Sequence, residues 1–166
     1  MGQEGTLRFL HALGGDAAAS LFAISAGGET PAYYAARNGC SSCFRMLHAL
    51  GGDAAASVAA ADVNGNTPAH HAACRGQEVT LRVLHELGGN AAASLVAANA
   101  RGEAPSHYAA TFGWMDCLRV LHEMGGDVAA TLAAADVDGD MPAHNAARKG
   151  HEGCLRVLHE LGGDAA

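Results

Sequence analysis

The sequence predicts an all-α solenoid of stacked helix pairs, with a hairpin-like finger and an extra short helical turn in each unit. Three observations predict it. The string LHALGGD at 10–16 returns at 47–53, then as LHELGGN at 84–90, LHEMGGD at 121–127 and LHELGGD at 158–164, a step of 37 residues each time. The four prolines, Pro31, Pro68, Pro105 and Pro142, keep the same step. A fixed period of this size marks an array whose units bury their apolar faces against one another. Composition is the third: 49% of residues are hydrophobic but only 5% aromatic, a core of Ala, Leu and Val that suits closely stacked helices. The chain of 166 residues then reads as one array. A half repeat at 1–24 precedes full repeats at 25–61, 62–98 and 99–135, and a truncated final repeat occupies 136–166.

Each element follows from its residues, as the repeat 62–98 illustrates. DVNGN (62–66) is a turn signal, Asn64-Gly65 suiting the left-handed dihedrals of a tight hairpin tip. Thr67 caps the first helix, and Pro68 takes its first position, where a missing N–H costs nothing. That helix runs through AHHAACR with alanines on its packed face, and Gly76 ends it. In QEVTLRVLHEL, Leu81, Leu84 and Leu87, with Val83, form one stripe, while Arg82 and Glu86 lie four apart on the other side. Gly88-Gly89 terminates this second helix. NAAASLVAA (90–98) opens on Asn90, a further capping residue, and so predicts the extra short turn. Ala104 and Met141 lack the hydroxyl of Thr30 and Thr67, so the first helices of the last two repeats are expected to be capped less well.

The segments TPAYYAARNG, TPAHHAACRG, APSHYAATFG and MPAHNAARKG, each followed by a leucine-rich helix and Gly-Gly, resemble the ankyrin repeat. The resemblance covers nearly every residue. It implies an L-shaped stack of helix pairs with projecting fingers and a concave groove formed by fingers and first helices. It also implies that His70, His107 and His144 are structural hydrogen-bonders; Tyr33 stands in that place in the first full repeat. The unit departs from the family pattern twice. It is four residues longer than the family's usual 33, and the leucine after Thr-Pro is replaced by Ala32, Ala69, Ser106 and Ala143. Leu21, Val58, Leu95 and Leu132, the large apolar residues of the long connections, are expected to tuck in and fill the vacated volume.

Several apparent sites dissolve into the period. Cys40 and Cys43 form a Cys-x-x-Cys motif, a possible redox or zinc site. Cys43, however, aligns with Thr6, Thr80, Cys117 and Cys154 in a small slot of the second helix, and Cys40 with Gln3, Gln77, Trp114 and His151 at a variable surface position. Cys40, Cys43 and His48 lack a fourth ligand, and the recurring His11, His48, His85, His122 and His159 are a helix-pair width apart, so no metal is expected. Reversible oxidation of Cys40 at a helix N-terminus is the more plausible chemistry. MGQEGT fits a myristoylation pattern, but Gly2 and Thr6 belong to the repeat framework. No nucleophile, base and acid concentrate in one unit, so neither catalysis nor a cofactor is expected.

The net charge of −7 with a single lysine, Lys149, leaves no basic stripe for nucleic acid. No apolar run spans a bilayer and no cleavable leader is evident, so the expectation is a cytoplasmic protein with reduced thiols. Function must reside where the repeats differ. At the fingers these residues are Gly27 and Glu29, Asn64 and Asn66, Arg101 and Glu103, Asp138 and Asp140. Along the first helices they are Tyr34, His71, Tyr108 and Asn145, with Arg37, Arg75, Phe112 and Lys149 at the helix ends and Trp114 just beyond. Tyr, Trp and Arg are residue types that anchor interfaces. The set predicts a scaffold that docks a polypeptide partner, acidic fingers facing a more basic helix rim. The second reading is end-to-end self-association, because neither end carries a divergent polar cap and Leu7, Phe9, Leu155 and Val157 stand near open ends.

Overall fold

The computed structural model describes residues 23–163, and among them the architecture is all-α, without strands. Most of the half repeat at 1–24 lies outside the described residues, as do Leu7, Phe9 and Leu21. The first described repeat holds α1 (Pro31–Arg37), α2 (Ser41–Leu50) and α3 (Gly52–Ser57); the second holds α4 (Pro68–Cys74), α5 (Glu78–Leu87) and α6 (Gly89–Ala93). The third holds α7 (Pro105–Thr111), α8 (Met115–Glu123) and α9 (Gly126–Ala130), which runs on into a 3-10 turn at Thr131–Ala133. The last holds α10 (Pro142–Lys149) and α11 (Glu152–Gly163). First helices α1, α4, α7 and α10 pack in one row, and second helices α2, α5, α8 and α11 in another.

Small side chains make this stacking possible. Ala32, Ala36, Ala69, Ala72, Ala73, Ala109 and Ala110 are buried, so neighbouring first helices approach through methyl groups. Leu47, Leu84 and Leu121 seal the second row from the inside. Val58 and Leu95 are buried as expected, and Leu132 is half-buried against the same core. The short third helix is drawn in by hydroxyls at the start of the first. Thr30 Oγ1 donates to the Ser57 carbonyl (3.4 Å) and Thr67 Oγ1 to that of Ser94 (3.1 Å). Ser57, Ser94 and Thr131 in turn donate to Ala54, Ala91 and Val128 at 2.7, 2.6 and 2.7 Å. Val58 and Leu95 thus join the same buried cluster as Ala32 and Ala69.

The structure corrects four local expectations. Every positive φ among the described residues belongs to glycine, so Asn64 is not left-handed; Gly65 alone turns the finger tip, at φ 80°. Gly88, not Asn90, occupies the N-cap of α6, and Asn90 is exposed. Arg82 and Glu86 do not pair with each other. Arg82 reaches Glu123 (2.6 Å) and Arg45 reaches Glu86 (2.6 Å), ties between successive second helices that Arg119 and Glu160 repeat at 3.3 Å. Being half exposed, they contribute little stability and serve alignment.

The fourth correction concerns the caps. Only Thr30 accepts a bond from its N3 amide, that of Tyr33 (3.3 Å). In the later repeats the N3 amides of His70, His107 and His144 donate to the N-cap carbonyls of Thr67, Ala104 and Met141 at 3.0, 3.0 and 2.9 Å. The N-cap N–H groups of those three residues donate to the imidazole Nδ1 of His70, His107 and His144 at 3.0, 3.1 and 2.9 Å. A hydroxyl at the cap is therefore not needed to close the turn. In the third repeat it has moved two residues along: the buried Ser106 donates to the Thr131 carbonyl at 2.8 Å, the bond Thr67 makes in the second. Ser106→Ala should cost about 0.5–1.5 kcal/mol, the net worth of one hydrogen bond, since the Thr131 carbonyl keeps the Ala134 N–H at 3.3 Å. Adding Ala104→Thr should recover most of that, and urea midpoints of the two variants measure both effects.

Candidate functional site

The candidate site begins at the fingers, where one side chain per repeat folds the loop on itself. Asp62 Oδ1 accepts the N–H groups of Asn64 and Asn66, both at 2.9 Å. Asn99 does the same for Arg101 and Glu103 (2.9 and 3.0 Å), and Asp136 for Asp138 and Asp140 (2.9 Å each). Ser25 substitutes in the first finger, accepting from Gly27 and Glu29. Successive fingers then bond backbone to backbone: Val63 N–H to the Gly27 carbonyl (3.2 Å), Ala100 to Asn64 (2.9 Å) and Val137 to Arg101 (3.0 Å). Approach is so close that a Cβ on Gly28, Gly65 or Gly102 would lie 2.8–2.9 Å from the next finger's backbone nitrogen.

The histidines fix the fingers to the helices. His70 Nε2 donates to the Glu103 carbonyl (2.9 Å) and His107 Nε2 to that of Asp140 (3.1 Å), each in the following finger. A backbone N–H can only donate and a carbonyl can only accept, so these rings must be neutral and carry the proton on Nε2. Burial pushes His70 down to about 4.

Side chains along the first helices reach up to this finger row. Tyr34 donates to the Glu29 carboxylate (2.9 Å), and His71 Nε2 meets Asp62 Oδ2 at 3.2 Å. Tyr108 donates to Asn66 Oδ1 (3.0 Å) in the preceding finger, and Asn99 Nδ2 bonds the same oxygen at 2.9 Å. Arg148 bonds Asn145 Oδ1 (3.1 Å) and pairs with Asp140. The Tyr33 ring lies against His71, centroids 4.1 Å apart. Glu29, Asp62 and Asp136 are held in the charged form. Hydrogen bonds from Tyr34 and Ser25 hold Glu29 below its ordinary value. Burial pushes Asp62 up, but the amides of Asn66 and Asn64 more than offset it, and Asp136 is lowered in the same way by Asp140 and Asp138.

Of the residues singled out by sequence, Tyr34, Arg37, Asn64, Arg75, Arg101, Phe112, Trp114, Asp138 and Lys149 are exposed. Glu29, His71, Glu103, Tyr108 and Asp140 are half-buried within the hydrogen-bond network, while Asn66 and Asn145 are buried and offer a partner almost no area. The column containing Trp114 is not a free surface position. Its indole covers Gly76 and donates to the Cys74 carbonyl (3.0 Å), and His151 donates to the Thr111 carbonyl (3.0 Å), both in the preceding repeat. Cys40 and Cys43, expected as reduced thiols, are joined in a disulfide: N-cap and N3 of α2 bring their Cα atoms within 5.3 Å, inside bonding reach. Sequence reasoning passed over Arg148, Asn99 and Asp136 and took Asp62 only as part of a turn signal, although these last three keep the 37-residue step. Among the described residues no helix is long and apolar enough to cross a membrane.

Comparison with known families agrees with this geometry. A family model described as Ankyrin repeats (3 copies) matches residues 2–94, and one described as Ankyrin repeats (many copies) matches residues 106–159. The chain belongs to the ankyrin-repeat family. Ankyrin repeats are typically modules of protein–protein interaction and generally non-catalytic. No curated protein sequence matches the chain.

The ankyrin histidine bridge predicts acid sensitivity. A histidine whose folded pKa lies near 4 leaves the unfolded chain with more bound protons between that value and 6.5. Its contribution is thus complete above about pH 6.5 and is lost as pH falls toward 4. Between about pH 7 and about pH 4.5 the loss from His70 should reach about 2–3 kcal/mol. His70→Asn, which keeps an acceptor, should be less stable at neutral pH but lose less on acidification. Finger carboxylates add to the acid loss in both proteins, so the difference in urea midpoints isolates the imidazole.

Proposed function

We propose that the concave face of this ankyrin array docks an extended, positively charged polypeptide segment between its fingers and first helices. The observation that carries this reading is the division of labour along the groove. Residues that recur at the repeat step close the fingers and bridge the repeats, while the exposed ones, Asn64, Arg101 and Asp138 at the tips and Tyr34 and Phe112 below, differ from repeat to repeat. Asp138 stands exposed beside Asp136 and Asp140, so negative potential concentrates at the last finger, where Arg148 pairs with Asp140. Tyr34 and Phe112, 47% and 48% exposed, provide apolar area that a bound segment would cover. Rim charge governs association and its salt dependence, whereas buried aromatic contact governs dissociation. With a tagged synthetic peptide alternating lysine and leucine, Asp138→Lys should slow association by about tenfold and flatten the salt dependence. Phe112→Ala should speed dissociation and leave association unchanged. Binding that survives both changes removes the groove as the docking site.

One observation favours a second reading, self-association through the last repeat. Leu118, Leu121 and Leu95 are fully buried in the inner repeats, but their counterparts Leu155, Leu158 and Leu132 are only half-buried. With Met141 and Leu161 they line an apolar cavity of about 610 Å³. Val157, expected at an open end, is instead buried against the preceding repeat. A second copy of the chain is the occupant this reading requires. Light scattering over a concentration series should then show rising mass that Leu158→Glu abolishes; constant mass in the unaltered chain rejects it.

A further inference from the structure

The cysteine pair takes no part in the groove. Cys40 is the N-cap of α2 and half-exposed, Cys43 sits one turn further in at 3% exposure, and a disulfide joins them. Packing does not require that bond. The same two places in the next repeats hold Gln77 and Thr80, Trp114 and Cys117, His151 and Cys154, and the helix begins in the same way each time. Nor is it a strong staple, because a loop enclosing only Ser41 and Ser42 restricts the unfolded chain very little. What the position offers is reactivity. Cys40 Sγ lies at the start of a ten-residue helix, whose amides and dipole favour thiolate, and the Ser42 hydroxyl is 3.6 Å away. Cys40 is partly open to solvent, while the second sulfur of the pair, on Cys43, is buried. The remaining cysteines have the opposite surroundings: burial pushes the Cys117 thiol up to about 12 and also raises those of Cys74 and Cys154.

We propose that Cys40 and Cys43 form a reversible dithiol–disulfide pair that exchanges with small thiols and disulfides of the glutathione type, Cys40 being the sulfur that meets the small molecule. In the oxidising direction the Cys40 thiolate attacks a small disulfide, forming a mixed disulfide and releasing one small thiolate. The Cys43 thiolate then attacks the Cys40 sulfur, closes the protein disulfide and expels the second small thiolate. Two electrons pass from the protein thiols to the small disulfide, and the two protons end on the two small thiols. Reduction is the reverse sequence, in which two small thiols supply the electrons.

The repeats themselves provide test variants that fit the fold: Cys40→Gln and Cys43→Thr install the residues of the second repeat. The full chain is equilibrated in buffers of graded reduced-to-oxidised glutathione, quenched, alkylated and weighed by mass spectrometry, with circular dichroism followed in the same buffers. Two alkyl groups should appear together as the buffer becomes more reducing, both mapping to residues 40 and 43, with helicity unchanged. Cys43→Thr should trap one glutathione on Cys40, and Cys40→Gln should take it up on Cys43 at least about tenfold more slowly. A pair that opens only when helicity is lost, or never closes in the most oxidising buffer, overturns the proposal. Equal uptake by the two variants overturns the assignment of Cys40 as the entry sulfur.

Discussion

A neutral imidazole, buried at the start of a first helix, is the constraint on which the finger row depends. His70 takes the N–H of its own N-cap on one nitrogen and gives its proton to the carbonyl of the next finger with the other. His107 repeats the arrangement one unit later. Each ring thereby does two jobs at once, closing a helix start and fixing where the following finger stands. Both jobs require the uncharged ring, because a protonated Nδ1 would face an amide that can only donate. Protonation therefore disturbs the helix start and the finger together, so acid acts on the finger row through the fold.

The periodic string, the proline step and the Gly-Gly endings made the fold legible, since each repeated residue could be assigned a place by counting. The third helix and the burial of Val58 and Leu95 were legible for the same reason: a large residue returning at fixed spacing in a run of alanines has a packing role. What counting along one repeat could not reveal was bonding between repeats. Arg82 and Glu86 fit an intrahelical pair by spacing, yet each reaches a neighbouring helix that is invisible from within its own. Ser106 looked like a substitution for leucine and proved to be the displaced partner of a carbonyl that Thr67 bonds one repeat earlier.

The candidate site was legible in outline and less so in detail. Variable positions gathered on the fingers and first helices, but variability alone did not separate exposed residues from those already engaged in hydrogen bonds. Asn66 varies and is buried, because Tyr108 and Asn99 both bond its side-chain oxygen. Trp114 varies and looks like an anchor, yet its indole nitrogen is committed to a carbonyl of the preceding repeat. Cys40 shares that column, and the bond it makes depends on a second cysteine three residues away.

The finger glycines carry a last implication. Gly28, Gly65 and Gly102 face the backbone of the next finger with no room for a methyl group, so main chain rests on main chain along the row. Its spacing is then set by main-chain atoms, and so long as these glycines remain, substitution of the neighbouring Asn64, Arg101 or Asp138 does not alter it. Mutation can rewrite what the row displays while leaving the interval between displays untouched. The surface thus behaves as a ruler with interchangeable markings, and any ligand that reads several fingers at once must match the ruler before it can read the marks.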